Sequence, residues 1–339
     1  MYTNKFNVPL PLAVWLVTDE YQYAKYANEI SATSLLKSPR YIIASRRAMY
    51  PEQFPEELRP IAVTEGVDFP DIQERIAARI GTAIHSSVEQ AWKTNHKEAL
   101  KLLGYPEHQI EKIGFDESCP IRVHQEDRLY KTIEVNGQEF VISGQFDMII
   151  NRELHDIKTT GTYTYESGVN DEKYMLQGSI YRWLNPELIT GDTLTINFLF
   201  LDWKKMFQKK DSYPVARAYS KTYPLLSLAD TEAFIRNKLK TVSECWNLPL
   251  NLIPCCTEKE LFSKPPVYKY YKTGYEEGKR ASKVFDTFAE ASAYRATEGG
   301  FKGDIIENKG EPFMCPFCDP IEVEQMMVQT HKPKQLEIC

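Results

Sequence analysis

The most constraining feature of this chain is the stretch of residues 143–160, SGQFDMIINRELHDIKTT. Two short apolar runs, residues 146–150 and 154–157, flank a polar break, Asn151-Arg152-Glu153. This pattern predicts a β-hairpin. Because successive side chains on a strand point to opposite faces, Asp156 and Lys158 share one face of the hairpin. The stretch therefore puts a carboxylate beside an ammonium group on a sheet surface.

The face taken by Asp147 depends on the length of the turn. A connection of two or four residues sets Asp147 on the same face, opposite Lys158 and diagonal to Asp156, whereas a three-residue connection sends it to the other face. We favour the first register because it assembles a site. Carboxylates beside a lysine can hold Mg²⁺ or Mn²⁺ while the lysine donates to a phosphate oxygen or a water. The alternative is a surface hairpin with an ordinary ion pair.

A second pattern in the chain predicts a long helix that carries a histidine beside its apolar face. Apolar residues recur every fourth position from Asp71, which predicts an amphipathic helix to about residue 103: Ile72, Ile76, Ile80, Ile84, Val88 and Trp92. His85 lies next to this face. Gly81 comes one turn before it, and we expect the missing side chain to allow close approach to the hairpin. Such a histidine is usually a hydrogen-bonded core or boundary residue, and Glu89, four residues later, can meet it on the next turn.

The remaining patterns predict an alternation of strands and helices. Asn136-Gly137 between residues 131–135 and 138–142 is a strong hairpin signal. Residues 171–184 and 228–246 are typical of helices, and residues 193–201 of a central strand. On the first of these helices, Gln177 and Tyr181 lie one turn apart, on either a half-buried face or a site wall. The order predicts an α/β fold.

Composition sets limits on the class of protein. The 339 residues are 42% hydrophobic and 26% charged, as in globular proteins, with no apolar run of the roughly 18 residues that a membrane helix needs. We expect a cytoplasmic protein with no membrane partner. A net charge of −6 requires any DNA surface to be a local basic patch. The seven cysteines, an odd number, favour reduced thiols with or without a metal site.

These motifs resemble a known enzyme family. Gly144-x-x-Asp147 followed by Asp156-Ile157-Lys158-Thr159 resembles the active-site hairpin of the PD-(D/E)XK nuclease superfamily, in its RecB-like exonuclease branch. Three more pieces stand in the order of that branch: residues 31–36 leading to Pro39-Arg40, the Gly81-x-x-x-His85 motif, and Gln177-x-x-x-Tyr181. The resemblance spans roughly residues 30–184, and a weaker similarity continues to about residue 319.

The resemblance implies a fold and an activity. The fold would be an α/β PD-(D/E)XK restriction-endonuclease-like core, a mixed central sheet flanked by helices, over residues 1–248, with a C-terminal appendage over residues 249–339. The protein would be an Mg²⁺- or Mn²⁺-dependent DNA exonuclease of the type found in bacteriophages and bacteria, acting in recombination, replication or processing. A helicase, an annealing protein or a single-strand-binding protein would be its partner.

The resemblance also implies residue roles. His85, Asp147 and Asp156 would hold the metal, with the Ile157 carbonyl as a further ligand, and Glu89 would orient the imidazole of His85. Lys158 would orient or deprotonate the attacking water, and Gln177 and Tyr181 would support the site. Two alternatives remain open: an inactive nuclease-like module that binds nucleic acid or a protein partner, and a nuclease acting on RNA.

Two further groups of residues are candidates for binding. Three arginines near the start are either a solvated face or contacts to the DNA backbone: Arg40, Arg46 and Arg47. In the appendage, tyrosines interleave with lysines, and Lys269, Tyr271 and Lys272 are the best candidates for holding a single strand.

The cysteines of the appendage suggest a second metal site. Cys315-Pro316-Phe317-Cys318 is half of a tetrahedral site, and Cys255-Cys256 could supply the rest. RecB-like relatives often carry an iron–sulfur cluster held by one cysteine before the nuclease core and three after it. This chain lacks a cysteine before Cys119 and a third one soon after Cys318. Zinc, an iron–sulfur cluster and no metal therefore all remain open.

Overall fold

The computed structural model describes residues 2–18, 24–59, 71–254, 256–257, 260, 266–276, 278–298 and 302–309. The chain divides into two compact units, residues 1–36 with 46–247, and residues 37–45 with 248–339. The segment of residues 37–45 thus groups with the C-terminal part rather than with the sequence around it. No helix in the described ranges has the length and apolar character needed to cross a membrane.

The first unit is a mixed α/β structure. Its helices are α1 (Leu10–Val17), α2 (Ala32–Leu35), α3 (Pro39–Met49), α4 (Ile76–Leu102), α5 (Glu107–Ile110), α6 (Thr162–Ser167), α7 (Asp171–Leu184) and α8 (Leu228–Cys245). Helix α3 contributes residues to both units. Its strands are β1 (Glu29–Ser31), β2 (Ile113–Gly114), β3 (Ile121–Gln125), β4 (Arg128–Val135), β5 (Gln138–Gln145), β6 (Met148–Ile150), β7 (Glu153–Thr160), β8 (Thr193–Phe200) and β9 (Ala218–Pro224).

The strands of the first unit form two sheets. A six-stranded sheet has the order β2-β3-β6-β7-β8-β9, and a three-stranded sheet has the order β1-β5-β4. Both mix parallel and antiparallel pairs: β7 runs parallel to β8, while β6 and β7 are antiparallel. The chain passes from one sheet to the other at Phe146-Asp147, between β5 and β6. Phe146 is fully buried and anchors this crossing in the core.

The predicted helices and hairpins are confirmed where they are described. α7 has the predicted bounds, and the helix predicted from Asp71 begins as a 3₁₀ turn, Ile72–Arg75, before continuing as α4. Asp71 and Glu74 form a reciprocal capping box, which satisfies the first N–H groups of this turn. The β4–β5 turn has positive φ at Asn136 and Gly137, as a two-residue hairpin connection requires.

Strands β6 and β7 form the site hairpin, and their observed register differs from the predicted register by two residues. The observed pairs are Met148 with His155 and Ile150 with Glu153, so the turn is Asn151-Arg152, and both of these residues have positive φ. Continuing this register sets Asp147 across from Asp156, not from Lys158. Because a shift of two residues preserves the face of every side chain, the predicted grouping on one face survives.

Close approach to the hairpin is made at a different glycine from the one predicted. A Cβ on Gly144 would lie 2.8 Å from the ring of Tyr181 and from Leu184, so glycine lets α7 pack directly on β5. A Cβ on Gly81 would meet no atom within 4 Å among the residues that the structure describes. The hairpin, which lies in the described residues, makes no close approach at Gly81, so that expectation is wrong.

The second unit contains a small layered structure. A three-stranded antiparallel sheet has the order β11-β10-β12, formed by β10 (Val267–Tyr271), β11 (Lys283–Phe285) and β12 (Asp304–Asn308). Helix α9 (Phe288–Thr297) begins at a capping box between Thr287 and Glu290. Its core joins Tyr270 and Ile305 of the sheet to Ala291 of the helix.

Candidate metal centre

Four elements of the first unit bring titratable side chains together. Helix α4 supplies His85, the crossing between the sheets supplies Asp147, strand β7 supplies Asp156 and Lys158, and the connection from β3 to β4 supplies Glu126. The centre therefore lies on the face of the six-stranded sheet that α4 covers, at the point where the chain enters the hairpin.

The imidazole of His85 is held at both nitrogens. Its Nε2 lies 2.9 Å from the carbonyl oxygen of Ile157, and its Nδ1 lies 3.3 Å from Asp147 Oδ1. Since a carbonyl oxygen can only accept, Nε2 is the donor, and the neutral ring turns a lone pair on Nδ1 toward the carboxylate. The hydrogen bond with Asp147 raises the pKa of His85. A proton or a metal cation between Nδ1 and Asp147 relieves the repulsion between lone pairs.

Asp147 connects the helix to the hairpin. Its Oδ2 accepts a hydrogen bond of 2.6 Å from the backbone N–H of Ile157, while its Oδ1 faces His85. The hairpin backbone thereby fixes the carboxylate, and the same peptide unit that holds Asp147 through its N–H holds His85 through its oxygen. This arrangement replaces the predicted role of Glu89, which instead pairs with Lys93 on the helix surface.

Glu126 completes the group and was not predicted. One potential ligand atom from each of His85, Glu126 and Asp147 lies within 4.8 Å of the other two. The Gln145 amide donates to Glu126 Oε2 at 2.9 Å, and Arg128 donates to the oxygen of that amide at 3.0 Å. Burial and repulsion from Asp147 raise the pKa of Glu126 to about 7. The protonated acid is thus favoured below about pH 7, and a cation that offsets the neighbouring negative charge would favour the carboxylate.

Asp156 and Lys158 form an ion pair beside this group. Asp156 Oδ2 lies 2.7 Å from Lys158 Nζ, and the carboxylate side chain is only 5% exposed. Burial and repulsion from Asp147 raise the pKa of Asp156 to about 6 despite the attraction of Lys158. Burial disfavours the charged form of Lys158, but its attraction to Asp156 and Asp147 raises its pKa on balance. At neutral pH the pair is therefore charged, and Lys158 is a donor.

The donor set fits a divalent cation. His85, Glu126 and Asp147 offer one imidazole nitrogen and two carboxylates, and Asp156 extends the negative charge on the adjacent strand. Carboxylates suit Mg²⁺ and Mn²⁺, and the imidazole adds affinity for Mn²⁺ or a later transition metal. The Ile157 carbonyl, predicted as a ligand, accepts from His85 and so orients the imidazole.

Gln177 and Tyr181 contact each other on α7. The Gln177 amide donates to the Tyr181 hydroxyl at 2.6 Å, and the tyrosine is buried with its ring over Gly144. This contact places Tyr181 behind the strand that leads to Asp147. A supporting role for the two residues remains a prediction.

The three arginines predicted to contact DNA are buried. Arg40 is 2% exposed and donates to the carbonyls of Leu250 and Ile253. Arg47 is 3% exposed and donates to the Trp246 carbonyl at 2.6 Å. Arg46 is 6% exposed and lies over the ring of Tyr50. Guanidinium groups enclosed in this way satisfy backbone carbonyls or pack on rings, so the DNA-contact prediction is corrected for all three.

The candidates in the appendage separate into two groups. Tyr271 is 7% exposed with its ring against Tyr275, so it does not offer a face to a base, which corrects that prediction. Lys272 is exposed and Lys269 is half-buried in the central strand of the small sheet. Their role in binding nucleic acid remains a prediction.

The predicted cysteine site falls mostly outside the described residues. Cys255, Cys315 and Cys318 are not among them. Cys256 is described: its buried thiol donates to the Ser38 hydroxyl at 3.2 Å. A zinc or iron–sulfur site there remains a prediction.

Sequence reasoning missed Glu126 because its signal is tertiary. An acidic pair, Glu126-Asp127, joins β3 to β4, one hairpin before the site hairpin, and this position could have marked it as a candidate. Nothing in the local pattern chooses between the two acids. The structure does so because Glu126 takes a positive φ of 53° and turns toward Asp147, whereas Asp127 lies near His124.

Comparison with known proteins yields distant similarities. No protein-family model matches the chain, and no curated protein matches its sequence significantly. The crystal structure of SSO0001 is 18% identical, with a TM-score of 0.41, and the match covers 72% of this chain and 90% of that one. A phage-related exonuclease from Haemophilus somnus 129PT is 13% identical, with a TM-score of 0.30, covering 63% and 92%. The residues of the centre itself must therefore carry any functional conclusion.

Proposed function

We propose that this protein is a divalent-metal-dependent nuclease that hydrolyses phosphodiester bonds in DNA, built on a PD-(D/E)XK-type core. The observation that supports this most is the convergence of His85, Glu126 and Asp147 beside the ion pair of buried Asp156 with half-buried Lys158. A site that only binds a structural cation has no need of an ammonium group held by one of the neighbouring carboxylates. A lysine next to a metal site is suited to a substrate that brings its own negative charge.

The cation would lie between His85, Glu126 and Asp147, with Asp156 adjacent. The chemistry that Mg²⁺ or Mn²⁺ supplies in such a site is neutralisation of phosphate charge and activation of water. Hydrolysis joins the oxygen of that water to phosphorus and breaks the bond from phosphorus to the 3′ oxygen, which takes up a proton. The products are a 5′ phosphate and a 3′ hydroxyl.

Lys158 has a defined part in this reaction. Its ammonium group is paired with Asp156 at 2.7 Å and keeps further N–H donors for a phosphate oxygen. Charge on the non-bridging oxygens grows toward the transition state, so a fixed cation there lowers the barrier more than it strengthens binding. Its raised pKa favours orienting and stabilising roles over removal of a proton from water.

The test is cleavage of end-labelled linear and closed circular DNA, in single- and double-stranded form, with matched RNA. Mg²⁺, Mn²⁺, Zn²⁺ and EDTA are compared for wild type, Lys158→Gln and the exposed helix variant Lys240→Ala. We expect metal-dependent cutting of DNA that falls by about 10²-fold or more in Lys158→Gln, as for loss of one charge-stabilising group, and is unchanged in Lys240→Ala. Cutting of linear DNA alone would identify an exonuclease.

Three outcomes would count against the proposal. RNA cut in preference to DNA would reassign the substrate. Binding of nucleic acid without cutting under any of the metals would favour a nuclease-like binding module. Cutting that survives EDTA or Lys158→Gln would move the active site away from the hairpin.

A further inference from the structure

Nothing in the described part of the chain requires a glycine at residue 81. It lies inside α4, well away from either end of the helix, and its φ is not positive. The added Cβ would meet no atom of the described residues within 4 Å, in contrast to Gly144 and Gly178, where it would come within 2.9 Å of packed side chains. Glycine is the least favourable residue other than proline within a helix, so alanine would be the better choice for folding alone.

The position of Gly81 relates this open space to the candidate metal centre. Residues four apart on a helix share a face, so Gly81 lies one turn before His85 on the side that faces the centre. His85 itself belongs to the group that would hold the metal. Gly81 therefore lies one helical turn from a residue of the candidate metal centre, on the same side of α4.

We propose that Gly81 is a substrate-positioning residue, over which the sugar–phosphate backbone of the bound nucleic-acid strand passes in van der Waals contact. The inference rests on the proposed nuclease function and adds the path of the strand to it. A methyl group at residue 81 would lift the backbone away from His85 and the metal. Because glycine has no side chain, the strand can lie close to the helix backbone at residue 81.

The experiment compares wild type with Gly81→Ala and Gly81→Leu. Ser87→Ala is the matched control, because Ser87 is exposed on another face of the same helix and alanine also improves helix propensity there. Four quantities are measured for each protein: the melting temperature, Mn²⁺ affinity by calorimetry, binding of fluorescein-labelled single-stranded and duplex DNA in Ca²⁺, and the KM and kcat of cleavage.

We expect Gly81→Ala to melt at a higher temperature than wild type and to bind Mn²⁺ equally well. Its DNA affinity should fall about tenfold, with a matching rise in KM, and Gly81→Leu should lose more. Ser87→Ala should melt higher and bind DNA like wild type. The DNA form that loses more affinity, single-stranded or duplex, is the form that contacts the helix.

Two results would overturn the inference while leaving the proposed function intact. Gly81→Ala could bind and cut DNA as wild type does, which would show that no strand passes there. It could also melt at a lower temperature, which would show that protein fills the space. Wild type that neither binds nor cuts nucleic acid would contradict the proposed function itself, and the inference with it.

Discussion

At the scale of single residues, the candidate centre is notable for the backbone conformation of Glu126. A positive φ of 53° is uncommon for a residue with a side chain, and it costs about 1–2 kcal/mol relative to the right-handed region. The hydrogen bonds that fix it come from the Gln145 amide to the carboxylate and from the Glu126 N–H to the Asp147 carbonyl. Strain sustained in this way is typical of functional positions.

Replacing this carboxylate should weaken metal binding. Glu126→Gln keeps the shape of the side chain and removes a charged ligand, so we expect Mn²⁺ affinity to fall at least about tenfold. Isothermal titration calorimetry with Mn²⁺ measures the change. Glu153→Gln, at the exposed start of β7, is the control and should bind as wild type does. An unchanged affinity in Glu126→Gln would exclude Glu126 from the metal site.

Gly144 is expected to respond to alanine in the opposite way to Gly81. A Cβ at this residue would lie 2.8 Å from the rigid ring of Tyr181, so helix α7 or strand β5 must move to admit it. We expect Gly144→Ala to lower the free energy of unfolding by about 1–3 kcal/mol, the usual cost of overpacking. Urea denaturation measures this value. A neutral result would show that α7 is free to shift.

At the scale of elements, the start of α4 depends on a charged cap. Asp71 accepts hydrogen bonds from the backbone N–H groups of Lys5 and Gln73 and from the Thr3 hydroxyl. The bond from Lys5, followed by that from Gln73, lowers the pKa of the carboxyl. The cap therefore joins the N-terminal segment to the helix that carries His85.

This cap predicts a pH dependence of stability. Because the pKa of Asp71 is lower in the folded protein than in the unfolded chain, the carboxylate stabilises the fold above about pH 4. That contribution is lost as the pH falls through the folded-state pKa. We expect the melting temperatures of wild type and Asp71→Asn to converge on acidification, measured by circular dichroism. The control is the exposed-loop variant Asp116→Asn, which should melt at the same temperature as wild type throughout the titration.

For the site hairpin, the predicted faces of the side chains are correct and the predicted strand register is wrong. The turn at Asn151-Arg152 requires positive φ at both residues, and a sequence pattern does not disclose that arginine will adopt it. A shift of two residues keeps Asp147 on the face of Asp156 and Lys158 because side chains on a strand alternate with period two. The predicted site therefore tolerated the error in pairing.

At the scale of the whole molecule, α3 ties two distant parts of the chain together. Arg40 on this helix donates to the carbonyls of Leu250 and Ile253, so residues 37–45 complete the second unit. A fragment that ends at residue 248 would lose both acceptors for a buried guanidinium. The simple division into residues 1–248 and 249–339 is thus not a division into independent folding units.

Removing this side chain should destabilise the protein. Arg40→Ala leaves the buried Ile253 carbonyl and the partly buried Leu250 carbonyl without their charged donor, so we expect the free energy of unfolding to fall by about 1.5–3 kcal/mol. Arg236→Ala, which removes an exposed pair with Glu232 on α8, should change it by less than about 1 kcal/mol. Denaturant titration of both variants measures the difference. Weaker DNA binding with unchanged stability in Arg40→Ala would restore its predicted role in binding DNA.

The sequence by itself determined the elements and the residue types of the site. Hydrophobic period predicted α4, α7 and the hairpins, and alternation along β7 put Asp156 and Lys158 on one face, because these depend on neighbours along the chain. Tertiary structure alone decided which glycine packs, which arginines are buried and that Glu126 joins His85 and Asp147. Those outcomes depend on contacts between side chains that are far apart in the sequence, and no local sequence pattern encodes such contacts.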